Sequence, residues 1–168
     1  MKPLVRCISN FYNHRKCLCL VAFAILMAAI SLSPLLKSGY ISDDALNSLT
    51  KGYLLNTQQT VPEVTLYYIK QWIHNEGRFF PLAWYGYGLF SVIESLFLYK
   101  TSILIFVLID LLIFGYFVKT LTDSWSITYL SVLLPPLFFQ YRLYHDPILS
   151  FGWLQQIILL YTLVSLIL

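Results

Sequence analysis

From Leu18 to Leu36 the sequence carries no charged residue, and from Pro147 to Leu168 it again carries none. Two further apolar runs lie between them. Thr101–Val118 holds a single charge, Asp110, and Trp125–Tyr141 holds none but contains Pro135-Pro136. A helix needs about 20 mostly apolar residues to cross the hydrocarbon core of a bilayer. Four runs of this kind therefore treat the bilayer as their solvent. The rest of the composition agrees. Of 168 residues, 58% are hydrophobic and only 11% are charged, where a soluble domain carries about a quarter charged residues. The mean hydropathy is +0.70. The expected fold is all-α: a polytopic transmembrane helix bundle of about four spans, with amphipathic juxtamembrane helices in the first outer loop.

Charge sets the expected orientation. Lys2, Arg6, Arg15 and Lys16 precede the first run with no acid among them. The positive-inside rule then puts residues 1–17 in the cytoplasm. The first run is longer than the apolar core of a signal peptide and is followed by no small-residue cleavage site. The layout that follows is a span over 18–36, an outer loop over 37–100 and a span over 101–118. A cytoplasmic loop over 119–124, a span over 125–141, an outer loop over 142–146 and a span over 147–168 complete it. The net charge of +3 is spread thinly, so nucleic acid is excluded as a partner class. Cys7, Cys17 and Cys19 fall at the cytoplasmic end, where thiols stay reduced, and lack the second pair that zinc requires.

The segment Lys37–Arg78 is the one long polar region. It holds eight of the chain's 19 charges, four of each sign. Ser42-Asp43-Asp44 precedes Ala45, Leu46, Leu49 and Tyr53 at helical spacing, which predicts a helix from Asp44 to about Leu55. Asn56–Gln59 reads as a turn. Thr60-x-x-Glu63 has the form of a capping box with Pro62 in the first turn. Leu66, Ile69 and Ile73 define one face of the helix it starts, and Gly77 ends it. Tyr67, Tyr68 and Trp72 suit a helix at headgroup level. Phe79–Tyr99 is apolar but contains Pro81, Gly86, Gly88 and Glu94. It reads as an interfacial or re-entrant helix over Pro81–Glu94 that does not cross. If it crossed, the loop at 142–146 would be cytoplasmic.

Three polar groupings can carry chemistry. An acid at Asp43 or Asp44 could act as general base toward a hydroxyl, or help hold a divalent metal near a phosphate; the sequence leaves any metal requirement unknown. The alternative is a helix cap and an offset to the helix dipole. Within His74-Asn75-Glu76-Gly77-Arg78, Arg78 could hold a phosphate or headgroup through paired donors, with His74 beside it. The alternative is an ordinary interfacial helix end. In Tyr144-His145-Asp146-Pro147, Asp146 could be a second acid and His145 a proton shuttle or ligand. The alternative is an N-cap for the last span. Asp110, Gln155 and Gln156 lie within apolar runs and read as groups turned toward other helices or a partner.

The order of these pieces resembles the N-terminal part of the GT-C superfamily of polyprenyl-phosphate-sugar-dependent glycosyltransferases. Aminoarabinose transferases of lipid A and protein O-mannosyltransferases belong to it. The resemblance rests on a first span followed by Asp43-Asp44, amphipathic loop helices, Gly77-Arg78-Phe79-Phe80-Pro81-Leu82, and Tyr144-His145-Asp146-Pro147-Ile148-Leu149 two spans later. It covers roughly residues 18–155. It implies that Asp43 or Asp44 is the first-loop catalytic acid and Asp146 the acid of the second outer loop. Arg78, His74, His145 and Tyr144 would meet the substrate. The implied reaction moves a sugar from a polyprenyl-phosphate donor to an extracytoplasmic glycan, lipid or protein, at a bacterial inner membrane. Members of the superfamily are several hundred residues long with many more spans. The resemblance therefore implies a truncated N-terminal part of a longer fold, or a partner membrane polypeptide that completes it. Two other classes remain open: a non-enzymatic membrane subunit whose loop docks a partner, and a sugar-lipid translocation component using Asp110, Gln155 and Gln156.

Overall fold

The structure is a computed structural model. It describes the backbone of residues 2–41, 45, 48–77, 88, 91–93, 95–142, 146, 148–149 and 152–168, with side chains from residue 17 onward. Among the described residues there are six α-helices and no strand: α1 (Lys2–Leu32), α2 (Thr50–Thr57), α3 (Val61–Glu76), α4 (Leu96–Thr122), α5 (Trp125–Phe138) and α6 (Gly152–Ile167). A 3₁₀ turn, Ser33–Lys37, extends α1.

The expected all-α class is met, with fewer long spans than expected. Cys17–Lys37, of 21 residues, and α4, of 27, are long and apolar enough to cross a membrane. The other two apolar helices are shorter. α5 has 14 residues with Pro135 and Pro136 inside it, and α6 has 16. At 1.5 Å per residue, α5 covers roughly 21 Å of a hydrocarbon core about 30 Å thick. The proline pair explains its early end. Neither ring nitrogen can donate to the carbonyl four residues back, and the backbone turns extended at Phe139. α4 starts five residues before the apolar run does, so Lys100 lies inside its second turn.

The chain divides into two compact units. The first comprises Met1–Pro34, Val107–Gln140 and Leu159–Leu168. Here α1 packs on α5. The covered residues of α1 are Ala24, Ala28 and Leu32, and those of α5 are Thr128, Val132 and Pro136. Both sets recur every four residues, which puts each on one helical stripe. Small residues let the two backbones approach, the usual device for helices that gain nothing from leaving lipid. Leu18, Leu20, Phe23, Leu26 and Ile30 of α1 stay uncovered. Ser31 Oγ donates to the Pro136 carbonyl at 3.0 Å. Gly115 of α4 meets the same seam: a Cβ there would lie 2.6 Å from Val132 Cγ2. The α4–α5 link is held by the Lys119–Asp123 ion pair. Ser124 Oγ caps α5, accepting from the Ile127 N–H at 3.4 Å.

The second unit comprises Leu35–Phe106 and Tyr141–Ile158. Within it, the rings of Tyr40 and Tyr99 lie 5.5 Å apart. Trp153 packs on Phe106 with ring centroids 4.2 Å apart, and its Nε1 donates to Ser102 Oγ at 2.8 Å. Gly152 sits where a Cβ would strike Ile103. The residues after α1, the start of α4, the residues after α5 and the start of α6 therefore all belong to this unit. The capping box forms as read: Glu63 Oε2 accepts from the Thr60 N–H at 2.7 Å and from its hydroxyl at 2.8 Å. Gly77 ends α3 at φ 64° and donates to the Trp72 carbonyl. Ala45 is helical, a turn follows at 48–49 and α2 begins at Thr50; the predicted start, Asp44, lies outside the described residues. The covered face of α3 is not its apolar stripe. Val64 and Thr65 are buried, whereas Leu66 and Ile73 are exposed.

Candidate functional site

The two polar stretches read from the sequence, Lys37–Arg78 and 142–146, fall in the same unit. Its interior holds several polar side chains. Thr50, Thr65, Lys100, Asp146 and Gln156 are all buried. In the first unit the buried polar side chains are Asp110 and Thr128.

Asp146 is the best-defined member. It is 0% exposed. One carboxylate oxygen accepts from the N–H groups of Ile148 at 2.8 Å and Leu149 at 2.9 Å. The other accepts from the Arg142 N–H at 2.8 Å. Three amides thus replace the water that an ionised carboxylate loses on burial. The pattern is that of a cap, but it caps a turn: α6 begins only at Gly152. Beside it stands Tyr141, beyond the end of α5. Burial, and then the negative charge of Asp146, push its hydroxyl up to about 12, against a hydrogen bond from the Leu35 backbone that acts the other way. That bond ties the 3₁₀ turn after α1 to the loop holding Asp146.

Lys100 is also 0% exposed, with its ammonium 5.6 Å from the Tyr99 ring centroid, within cation–π range. His74 is exposed in the last turn of α3 and lines an open depression with Lys70, Gln71 and Ile73. Glu63 has its carboxyl held below the usual range by the backbone and hydroxyl of Thr60. Gln155 is half-buried and Gln156 is buried in the first turns of α6. Asp43, Asp44, Arg78, Tyr144 and His145 lie outside the described residues, as do Pro81, Glu94 and most of the expected interfacial helix. Among the described residues, no three His, Cys, Asp or Glu side chains group as a metal site would require.

The structure thus places His74 and Asp146 in one unit and adds residues that sequence reasoning passed over: Tyr141, Lys100, Tyr40, Tyr99 and the Ser102–Trp153 pair. Lys100 was visible as the charge that bounds an apolar run. Its burial was not, because a bounding lysine ordinarily snorkels to the interface. Compared with known protein families, characterised proteins and solved structures, the chain matches none.

Proposed function

We propose that this chain is a GT-C-like membrane glycosyltransferase component, acting on a sugar carried by a polyprenyl phosphate and an acceptor outside the cytoplasm. In this reading α5 and α6 cross alongside the two longer helices, and α2 and α3 lie along the outer surface. The observation that carries it is the common unit holding both polar stretches, with Tyr141 bonded to the Leu35 backbone. A common unit is what two loops on the same side of a membrane would form. That shared side is the condition under which the acid at Asp43 or Asp44 and the acid at Asp146 serve one reaction. A buried polar interior at the helix ends also suits a lipid-linked phosphate, which must leave water without entering hydrocarbon.

A second reading, a non-enzymatic membrane subunit, has its own support. The carboxylate of Asp146 is saturated by its own backbone, so its work could be wholly structural. One experiment separates the two. Membranes containing the chain, with any partner polypeptide co-expressed, are assayed for transfer of labelled sugar from a polyprenyl-phosphate donor. Asp43→Asn, Asp44→Asn and Asp146→Asn variants are compared at equal membrane levels. Transfer lost in Asp43→Asn or Asp44→Asn and in Asp146→Asn, with insertion intact, supports the enzyme. Transfer retained in all three refutes it.

A further inference from the structure

Asp110 belongs to neither reading's reaction, and its surroundings are unusual. It lies near the middle of α4 and is 2% exposed. Both carboxyl oxygens are buried and find no hydrogen-bond partner. Contacts within the first unit fix its depth. Gly115 is level with Val132, and α5 runs antiparallel to α4. Five residues from Gly115 toward the start of α4, and the same rise along α5, bring Asp110 level with Leu137, next to Pro136 and hence near Ser31. Lys119 is nine residues away, about 14 Å along the helix, and is engaged by Asp123. Lys100 is ten residues away in the other direction, about 15 Å. The cations at the start of α1 end at Lys16, about 22 Å below Ser31 by the same rise. The other titratable side chains described in this unit are Cys17 and Cys19 of α1, Tyr116 of α4, Tyr129 of α5 and Tyr161 of α6, and none is a cation at neutral pH. The prolines add to the polarity of the seam. Pro135 and Pro136 deprive the Ser131 and Val132 carbonyls of their helical N–H donors.

A carboxylate at this depth, with no cation and no donor among the described residues, is not tolerated as a charge. We propose that Asp110 is an intramembrane proton-binding site: its carboxyl holds a proton in the folded, membrane-embedded chain and releases it only when water enters this helical unit. A partner helix is a poorer occupant, because the chain's own helices already cover the side chain. A divalent metal would need more ligands than the described residues bring together.

The test uses the full chain in proteoliposomes at neutral pH. Infrared difference spectra of the wild type against Asp110→Asn read the carbonyl stretch of a protonated carboxylic acid, which ionised carboxylates lack. The expected result is a protonated-acid band in the wild type that vanishes in Asp110→Asn. Identical spectra in that region overturn the proposal. A second measurement needs no variant. Dicyclohexylcarbodiimide adds to protonated carboxyls in apolar surroundings: the carboxyl oxygen bonds to the carbodiimide carbon, the acid proton moves to nitrogen, and an acyl shift leaves a stable N-acylurea. An adduct on the peptide bearing Asp110, suppressed at alkaline pH, supports the site. Adducts confined to other carboxyls overturn it.

Discussion

Replacing Gly115 by alanine tests the close approach of α4 to Val132 in the first unit. The new Cβ would stand 2.6 Å from Val132 Cγ2 and 3.7 Å from Thr128 Cγ2. The second distance is ordinary contact; the first is roughly 1 Å inside the carbon–carbon optimum of about 3.5–4.0 Å. Val132 cannot swing aside easily. It is 0% exposed, and a β-branched side chain on a helix has one strongly preferred rotamer. Overpacking of this kind costs about 1–3 kcal/mol. Alanine returns up to about 1 kcal/mol of helix propensity over glycine. The net expectation is a loss of about 1–2 kcal/mol. The sign should reverse once the methyl is gone: in a Val132→Ala background, Gly115→Ala should stabilise by up to about 1 kcal/mol. The coupling between the sites is then about 1–3 kcal/mol. Reversible unfolding in mixed micelles, followed by helical circular dichroism across the four-member cycle, measures it. Equal effects of Gly115→Ala in both backgrounds would refute the close approach.

Three further outcomes are expected. Asp146→Ala strands three amides and should cost about 3 kcal/mol, with Asp146→Asn, which keeps one acceptor oxygen, costing less. Unchanged melting of both in detergent would contradict the loop geometry. Trp153→Phe keeps the ring against Phe106 but removes the bond to Ser102, a loss of about 1 kcal/mol, whereas Trp153→Ala should lose about 3–5 kcal/mol; similar melting of the two variants would deny the ring contact its weight. Because the folded hydroxyl of Tyr141 is raised to about 12, it holds its proton more tightly folded than unfolded. Its contribution to stability is then complete below pH ~10, where unfolded tyrosine ionises, and is lost as pH rises toward 12. Tyrosinate absorbance of the wild type minus Tyr141→Phe should show this group ionising last, and a component near pH 10 would contradict the burial.

What the sequence revealed followed from rules that act over short distances. The first run, the Thr60–Glu63 box and the Gly77 stop each depend on residues within a turn or two, and each is present in the fold. Features that depend on which surfaces meet were not legible. Leu66, Ile69 and Ile73 do make an apolar stripe, but the face that packs is centred on Val64 and Thr65. Hydrophobic spacing finds a stripe without saying whether protein or lipid covers it. Lys100 marked a boundary by its charge, yet α4 runs through it because unit packing buries its side chain. Of the proposed site, Asp146 could be picked out as an acid at a helix entry. Its saturation by Arg142, Ile148 and Leu149 could not, since that depends on how the backbone folds around it.

The partners of Asp146 also bear on which parts of the chain its loop depends on. All three amides come from residues 142–149, so the loop can close around its acid without waiting for any distant segment. The charge is therefore solvated by its own loop, whichever helices come to pack around it.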